Sequence, residues 1–116
     1  MYFDNAATTK PCKEALEAAL SCAEDCFGNP SSLHHMGVKA EEMITSAKKT
    51  LLNRLGKEGE IFFTSGATES NNIAIFGTAD ALKRRGNRIV TTEIEHPSVS
   101  EPLKKLSERG FEVVSL

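Results

Sequence analysis

The chain has 116 residues, and its 14 lysines and arginines against 16 aspartates and glutamates give a formal net charge of −2. A hydrophobic fraction of 40% and a charged fraction of 26% are typical of one ordinary globular domain. The acidic balance argues against a nucleic-acid-binding surface, and no apolar run approaches the ~20 residues that span a bilayer. No basic segment followed by an apolar one opens the chain, so we expect a cytoplasmic protein with neither nucleic-acid nor membrane partners.

The first 56 residues predict two helices. Pro11 is suited to the first position of a helix whose apolar residues then recur at helical spacing. Turn residues at 28–32 end that helix, and a second one runs to about Leu55, with Gly56 as its terminating glycine. We therefore expect residues 1–56 to be an N-terminal segment built from two helices.

Strand and helix signals alternate over residues 57–116. Three strands and two helices are predicted, in the order 61–64, 68–85, 88–92, 97–109 and 111–116. This β-α-β-α-β order with short connections favours parallel pairing, and hence an α/β fold with an incomplete, mostly parallel sheet and flanking helices. Pro102 would lie inside the last helix, so that helix either begins near Ser100 or carries a kink.

A glycine turn leads into the helix predicted at residue 68. In an open parallel sheet, ligands bind beyond the carboxyl ends of the strands, and the first amides of a helix attract anions. Gly66 lets an anion approach the backbone, Ala67 and Thr68 offer N–H donors, and Thr68 adds a hydroxyl. These residues predict a phosphate cradle without the lysine of a nucleotide-binding P-loop. The alternative is an ordinary helix start with Thr68 as the N-cap, which the spacing alone favours.

A histidine follows the strand predicted at 88–92. His96 is expected at the same edge of the sheet as Thr68, where an imidazole could stack on a flat ligand or shuttle a proton. A histidine that only caps the next helix is an equal alternative on the sequence alone.

Five motifs stand in one order along the chain and together resemble one known family. They are Tyr2–Thr9, Phe27–His34, Phe63–Asn72, Glu95–Val99 and Gly110–Val114. The sequence resembles the N-terminal part of the NifS/IscS-type cysteine desulfurases, which are pyridoxal 5′-phosphate (PLP) enzymes of the class V aminotransferase group. The resemblance covers essentially the whole chain and implies the N-terminal part of the large domain of an aspartate aminotransferase-like, PLP-dependent transferase.

The resemblance implies a cofactor site in the second half of the chain. Ala67 and Thr68 match the positions that hold the phosphate of PLP, in the cradle that begins with Gly66. His96 matches the histidine that stacks over the pyridine ring and is implicated in substrate protonation and deprotonation. It is the expected catalytic residue.

The resemblance also implies a reaction and its partners. Asn5, Ala6 and Ala7 match a segment on the substrate side of the cleft, and residues 28–34 resemble a loop near the active site and the dimer interface. Family members are homodimers that convert L-cysteine to L-alanine. A mobile cysteine takes the sulfur as a persulfide and passes it to an acceptor or scaffold protein for iron–sulfur cluster or thio-cofactor assembly.

The chain is shorter than the family members. Their Schiff-base lysine, their aspartate facing the pyridine nitrogen and their persulfide cysteine all match positions beyond residue 116. We therefore expect an inactive fragment in which residues 57–116 begin the cofactor-binding domain. By the same resemblance, the strand at 61–64 lacks its neighbours in the sheet. Another polypeptide segment then completes the sheet, or the chain self-associates through its strand edges.

Three cysteines raise the question of disulfide or metal chemistry. The odd count argues against a closed disulfide framework. Cys22 and Cys26 stand four apart on one helix face, where they fit the apolar stripe of the first helix. A metal site that joins them to Cys12, His34 and His35 is the less favoured alternative, since the C-x₂-C spacing is missing. We therefore predict no metal site.

Two other functions stay open on the sequence. A selenocysteine lyase, or another class V lyase or aminotransferase, would share these motifs, because the residues that select the substrate are mostly outside this segment. A non-catalytic binding or assembly module could keep the same N-terminal part. A downstream lysine in register would favour an enzyme.

Overall fold

The computed structural model describes residues 1–56 and 58–116, which divide into two units at residues 1–61 and 62–116. The helices and strands of the described residues are α1 (Lys13–Asp25), α2 (His35–Leu55), α3 (Ala67–Leu82), β1 (Arg88–Thr91), α4 (Pro97–Glu108) and β2 (Glu112–Ser115). The boundary predicted between residues 56 and 57 falls on Lys57, which lies outside the described residues.

The first unit contains the two predicted helices. α1 begins two residues later than predicted, because Cys12 has the extended backbone of an N-cap (φ −71°, ψ 159°) and Pro11 precedes it. α2 ends as predicted at Gly56, which has a left-handed φ of 60° and donates its N–H to the carbonyls of Asn53 and Leu52. A residue with a Cβ would be strained there, which explains the glycine.

The turn between α1 and α2 depends on two glycines. The Asn29 carbonyl accepts a hydrogen bond from the Ser32 N–H at 2.9 Å, which folds the chain back on itself. A Cβ on Gly37 would collide with the carbonyl oxygens of Ser32 and Asn29, and a Cβ on Gly28 would collide with the carbonyl of Met36. The close approach of these backbone segments therefore requires glycine at both positions.

The second unit has a small core around α4. This helix packs against both α3 and β2, and its residue Leu106 is fully buried. Leu103 lies one turn earlier on the same face, and Ala79 of α3 and Phe111 complete the buried cluster. Apolar residues at this spacing therefore close the core that the sequence pattern predicts.

The two strands form a parallel pair. Arg88 stands opposite Glu112 and Thr91 opposite Ser115, and α4 makes the connection between the strands. A parallel pair with a helical crossover is the α/β architecture predicted from the order of the elements.

The prediction of a strand at residues 61–64 is wrong for the described chain. This segment has no regular secondary structure, and Phe63 is 57% exposed. A strand needs a neighbour for its backbone N–H and C=O groups, and the two strands described here pair with each other. The apolar run at 61–64 is typical of a buried strand, but the described residues contain no neighbouring strand that forms backbone hydrogen bonds with it. The observed order is therefore α3-β1-α4-β2 where β-α-β-α-β was expected.

Pro102 lies in the interior of α4. The helix begins at Pro97, so the alternative start near Ser100 is wrong. Pro97 suits the first helical position, where no N–H is needed, whereas Pro102 has no N–H to donate to the Ser98 carbonyl four residues earlier. One backbone hydrogen bond is therefore missing from the first half of α4.

Candidate functional site

The start of α3 presents hydrogen-bond donors that the helix itself does not use. Its hydrogen-bond ladder begins with Ser70, whose N–H donates to the Gly66 carbonyl at 3.1 Å. The amides of Ala67, Thr68 and Glu69 therefore precede the ladder, at the positive end of the helix dipole. Thr68 is exposed and adds its hydroxyl. Such a set of donors suits a phosphate dianion.

Thr68 is not the N-cap of α3, so the alternative based on spacing alone is wrong. The N-cap is Gly66, and α3 begins at Ala67. The carboxylate of Glu69 reaches back and accepts hydrogen bonds from the Ser65 N–H at 2.6 Å and the Ser65 hydroxyl at 2.8 Å, much as in a capping box. These bonds, the backbone one first, lower the pKa of Glu69. Side chains thus close this turn without using the amides of Ala67 and Thr68.

The space beside Gly66 is open. A Cβ built there would meet no atom within 4 Å. The backbone of Gly66 is extended, with φ 168°, which other residues also adopt. The glycine is therefore not required by the fold of residues 62–116, and its role beside an anion stays a prediction.

His96 is the N-cap of α4. Its Nδ1 accepts a hydrogen bond from the Ser98 N–H at 3.1 Å and lies 2.9 Å from the Ser98 hydroxyl oxygen. His96 therefore caps α4, as the alternative interpretation of this histidine predicts. Capping uses only Nδ1, so Nε2 of the exposed ring remains free for chemistry.

A hydrogen bond between α3 and α4 joins the two predicted sites. Asn71 donates through Nδ2 to the hydroxyl oxygen of Ser98 at 2.9 Å, and Ser98 is only 7% exposed. Asn71 lies one turn after Thr68, and Ser98 lies two residues after His96. The bond therefore holds the second turn of α3 beside the first turn of α4, so the cradle and the histidine lie toward the same end of this helix pair.

The residues that make this bond were missed by the sequence reasoning. Asn71 and Ser98 are 27 positions apart, and nothing in the local pattern pairs them. The sequence does place each of the two residues close to a predicted site residue, although it does not pair them. Asn71 stands one helical turn from Thr68, and Ser98 falls in the first turn after a capping histidine.

The predicted substrate-side residues lie in the first unit. Asn5, Ala6 and Ala7 form an exposed turn in which the Asp4 carbonyl accepts the Ala7 N–H at 3.2 Å. The Asn5 carbonyl accepts a hydrogen bond from the Thr9 hydroxyl at 3.2 Å. Their position beside a substrate stays a prediction, since the cradle and His96 belong to the other unit.

The cysteines do not gather around a metal. Cys22 and Cys26 are half-buried and Cys12 is exposed. Across residues 1–56 and 58–116, no three His, Cys, Asp or Glu side chains are grouped so as to hold a metal ion. Over the same residues, no helix is both long and apolar enough to cross a membrane.

Comparison with known proteins identifies the family. The model of the family "Aminotransferase class-V" matches residues 1–116. The chain belongs to the class-V aminotransferases. This confirms the family that the five motifs indicate, and class-V aminotransferases are PLP-dependent.

Individual proteins resemble the chain over its whole length. The cysteine desulfurase IscS of Dictyoglomus turgidum is 45% identical over 117 aligned residues, which cover 100% of this chain and 30% of that protein. A solved structure described as a NifS-like protein superposes with a TM-score of 0.92 at 40% identity, covering 100% of this chain and 32% of that one. A structure of SspA in complex with cysteine gives 0.88 at 39% identity, covering 99% and 33%.

These similarities confirm the predicted α/β fold class. The chain spans about a third of the length of the relatives that it matches.

Proposed function

We propose that this chain is the N-terminal, cofactor-binding part of a cysteine desulfurase, a PLP enzyme that converts L-cysteine to L-alanine and passes the sulfur on as a persulfide. The observation that carries the proposal is the Asn71–Ser98 hydrogen bond, because it unites an anion-binding helix start with an exposed imidazole. The identity to the D. turgidum cysteine desulfurase and the cysteine in the SspA structure support this choice of substrate.

The start of α3 fits the phosphate of PLP. The amides of Ala67 and Thr68 and the Thr68 hydroxyl would donate to its oxygens, and the open space at Gly66 would admit them. When bound, PLP supplies an electron sink that stabilises negative charge on the substrate. The role of this chain's residues is to hold the phosphate and so to orient the cofactor.

His96 is the proposed acid–base group. Its Nδ1 is held by Ser98, which fixes the ring while Nε2 stays free to exchange a proton with the substrate. In this proposal, Asn5, Ala6 and Ala7 contact the substrate side.

The remaining parts of the reaction belong to the whole protein. The Schiff-base lysine and the persulfide cysteine would come from positions beyond residue 116. A homodimer, a sulfur-acceptor protein and a cytoplasmic location follow from the resemblance and stay predictions.

The test of His96 is a kinetic comparison in the intact, PLP-loaded protein that carries this chain. We expect His96→Gln to lower kcat for alanine formation from L-cysteine by about 10²- to 10⁴-fold, since a positioned acid–base group contributes that much. His35→Gln is the matched control, because His35 is an exposed histidine at the start of α2. Equal rates for the two variants, or alanine formed from L-selenocysteine alone, would overturn the proposal.

The test of the cradle is the affinity for PLP. We expect Thr68→Val to weaken PLP binding about 10- to 100-fold, the loss of one hydrogen bond to a charged group. Thr78→Val makes the same change at an exposed position near the other end of α3 and serves as the control. Unchanged binding of PLP by the Thr68 variant would contradict the assignment of the cradle.

A further inference from the structure

Two groups of Ser98 contact the same nitrogen of His96. The Ser98 backbone N–H lies 3.1 Å from Nδ1, and the Ser98 hydroxyl oxygen lies 2.9 Å from it. A backbone N–H can only donate, so Nδ1 must offer its lone pair and carry no proton. The neutral ring of His96 therefore holds its proton on Nε2.

The Ser98 hydroxyl has a fixed direction as a result. Because Nδ1 carries no proton, the hydroxyl donates to it, and the hydroxyl oxygen is left as an acceptor. Asn71 fills that role from α3, with Nδ2 donating to the oxygen at 2.9 Å. Ser98 is 7% exposed, which limits the access of water that could replace the amide. The three side chains thus form a hydrogen-bond chain whose donors all point from α3 toward His96.

We propose that Asn71 is a positioning residue that, by directing the Ser98 hydroxyl toward Nδ1 of His96, reinforces the backbone cap and so favours the tautomer with its proton on Nε2. The inference rests on the proposed function, in which His96 exchanges a proton with the substrate, and it specifies the atom that does so. Within residues 62–116, no hydrogen bond is made to Nε2, so that proton faces outward from the hydrogen-bond chain. The side-chain hydrogen bond of Asn71 is made to Ser98, so Asn71 acts on His96 by orienting the Ser98 hydroxyl.

The proposal predicts a weaker cap on His96 when the donor at position 71 becomes an acceptor. In Asn71→Asp, the ionised carboxylate can only accept, so it draws the proton of the Ser98 hydroxyl toward itself. The hydroxyl then turns a lone pair toward Nδ1 of His96, which opposes the lone pair of Nδ1 and leaves the Ser98 backbone N–H as the donor to that atom. The variant therefore shifts the tautomer balance of His96 toward a protonated Nδ1 without changing any residue of α4.

The experiment uses ¹⁵N-histidine-labelled intact protein, loaded with PLP, in solid-state NMR at alkaline pH, well above the ordinary histidine pKa of about 6.5. The His96 signals are assigned by their absence in His96→Gln. We expect an unprotonated Nδ1 in the natural sequence and a weaker signal of that kind in Asn71→Asp, as part of the population becomes protonated at Nδ1. Asn72→Asp is the matched control, because it adds the same charge one residue along α3, where the Asn72 amide donates to the Thr68 carbonyl at 2.8 Å.

A double variant tests whether the effect passes through Ser98. Once Ser98→Ala removes the hydroxyl, Asn71→Asp should produce no further change in the His96 signals. An equal change with and without the hydroxyl would mean that the charge acts directly, and would overturn the proposal. Should Asn71→Asp fail to fold, Asn71→Ala carries the test, with partial loss of the unprotonated Nδ1 signal expected and an unchanged signal contradicting the proposal.

Kinetics separates this inference from the proposed function. A change in the His96 signals with a fall in kcat of at least about tenfold supports both, since the fall lies within what an acid–base group supplies. A change in the signals with unaltered kcat supports the positioning by Asn71 and overturns the catalytic role of His96. An unprotonated Nδ1 signal that is undiminished in a folded Asn71→Asp protein overturns the inference, whatever the activity.

Discussion

The two units of the chain differ in what the apolar faces of their helices meet. α1 has no buried residue, with Leu16 54% and Leu20 60% exposed, and α2 buries only Gly37 and Ala40. In the second unit, by contrast, Leu106 on the apolar face of α4 is completely buried. The periodicity is helical in both units, so an amphipathic pattern predicts a helix whether or not the same chain supplies a surface to cover it.

The difference extends to what defines each unit. In residues 1–61, the most specific features are local: backbone segments that touch at Gly28 and Gly37, and a left-handed Gly56. In residues 62–116, they join distant positions, such as the α3–α4 contact and the parallel pair of strands. The first unit is therefore sensitive to backbone changes and the second to changes in side-chain packing.

The largest expected effect is the loss of stability when a leucine is truncated to alanine, which should differ strongly between the two units. Leu106→Ala leaves a cavity at a fully buried position and should lower the free energy of unfolding of the 116-residue chain by about 2–5 kcal/mol. Leu20→Ala makes the same truncation on an exposed face of α1 and should change it by less than about 0.5 kcal/mol. Chemical denaturation monitored by circular dichroism measures both. Equal losses would show that the face of α1 is covered in solution.

A second comparison uses the glycines. Gly37→Ala should lower the free energy of unfolding by about 1–3 kcal/mol, because its Cβ would meet the backbone carbonyls of Ser32 and Asn29. Gly77→Ala is the matched change in α3, where a Cβ meets nothing within 4 Å. It should raise stability by roughly 0.5–1 kcal/mol through its higher helix propensity. Urea titration of the two variants tests the opposite signs, and the same sign in both would refute the distinction.

The smallest expected effect concerns pH and the start of α3. The Ser65 hydrogen bonds lower the pKa of Glu69 in the folded state. Their contribution is therefore present above the unfolded pKa and is lost as the pH falls through the folded one. Glu69→Gln should lower the melting temperature slightly at neutral pH, and the difference should vanish in acid. Glu60→Gln, at a carboxylate outside the helices, is the control. A difference that does not depend on pH would contradict the capping role.

The local features of the fold were predictable from the sequence. Apolar spacing and the glycines at 56 and 110 located the helices to within a few residues, and the alternation of elements indicated the parallel pair β1–β2. The strand at 61–64 was wrong because its ladder depends on partners, which composition does not reveal. The first position of α3 was missed because Glu69 caps from inside the helix.

The candidate site was predictable in its parts but not in its connection. The short motifs indicate the cradle residues and His96, whose roles in binding and catalysis stay predictions. The hydrogen bond from Asn71 to Ser98 joins two helices far apart in the chain, and its formation depends on how α3 packs against α4. Pairings of that kind follow from tertiary structure and leave little trace in local patterns.

The proline within α4 has a consequence for how its first turn is anchored. Pro102 stands four residues after Ser98, so the residue that contacts His96 is also the one whose carbonyl loses its partner along the helix axis. The first turn of α4 therefore has one hydrogen bond fewer to its own helix, and the bond from Asn71 of α3 to Ser98 contributes more to holding it in place. In Pro102→Ala, the new backbone N–H could donate to the Ser98 carbonyl and restore the missing bond within α4. The position of the His96 ring would then depend less on the hydrogen bond from Asn71 to Ser98.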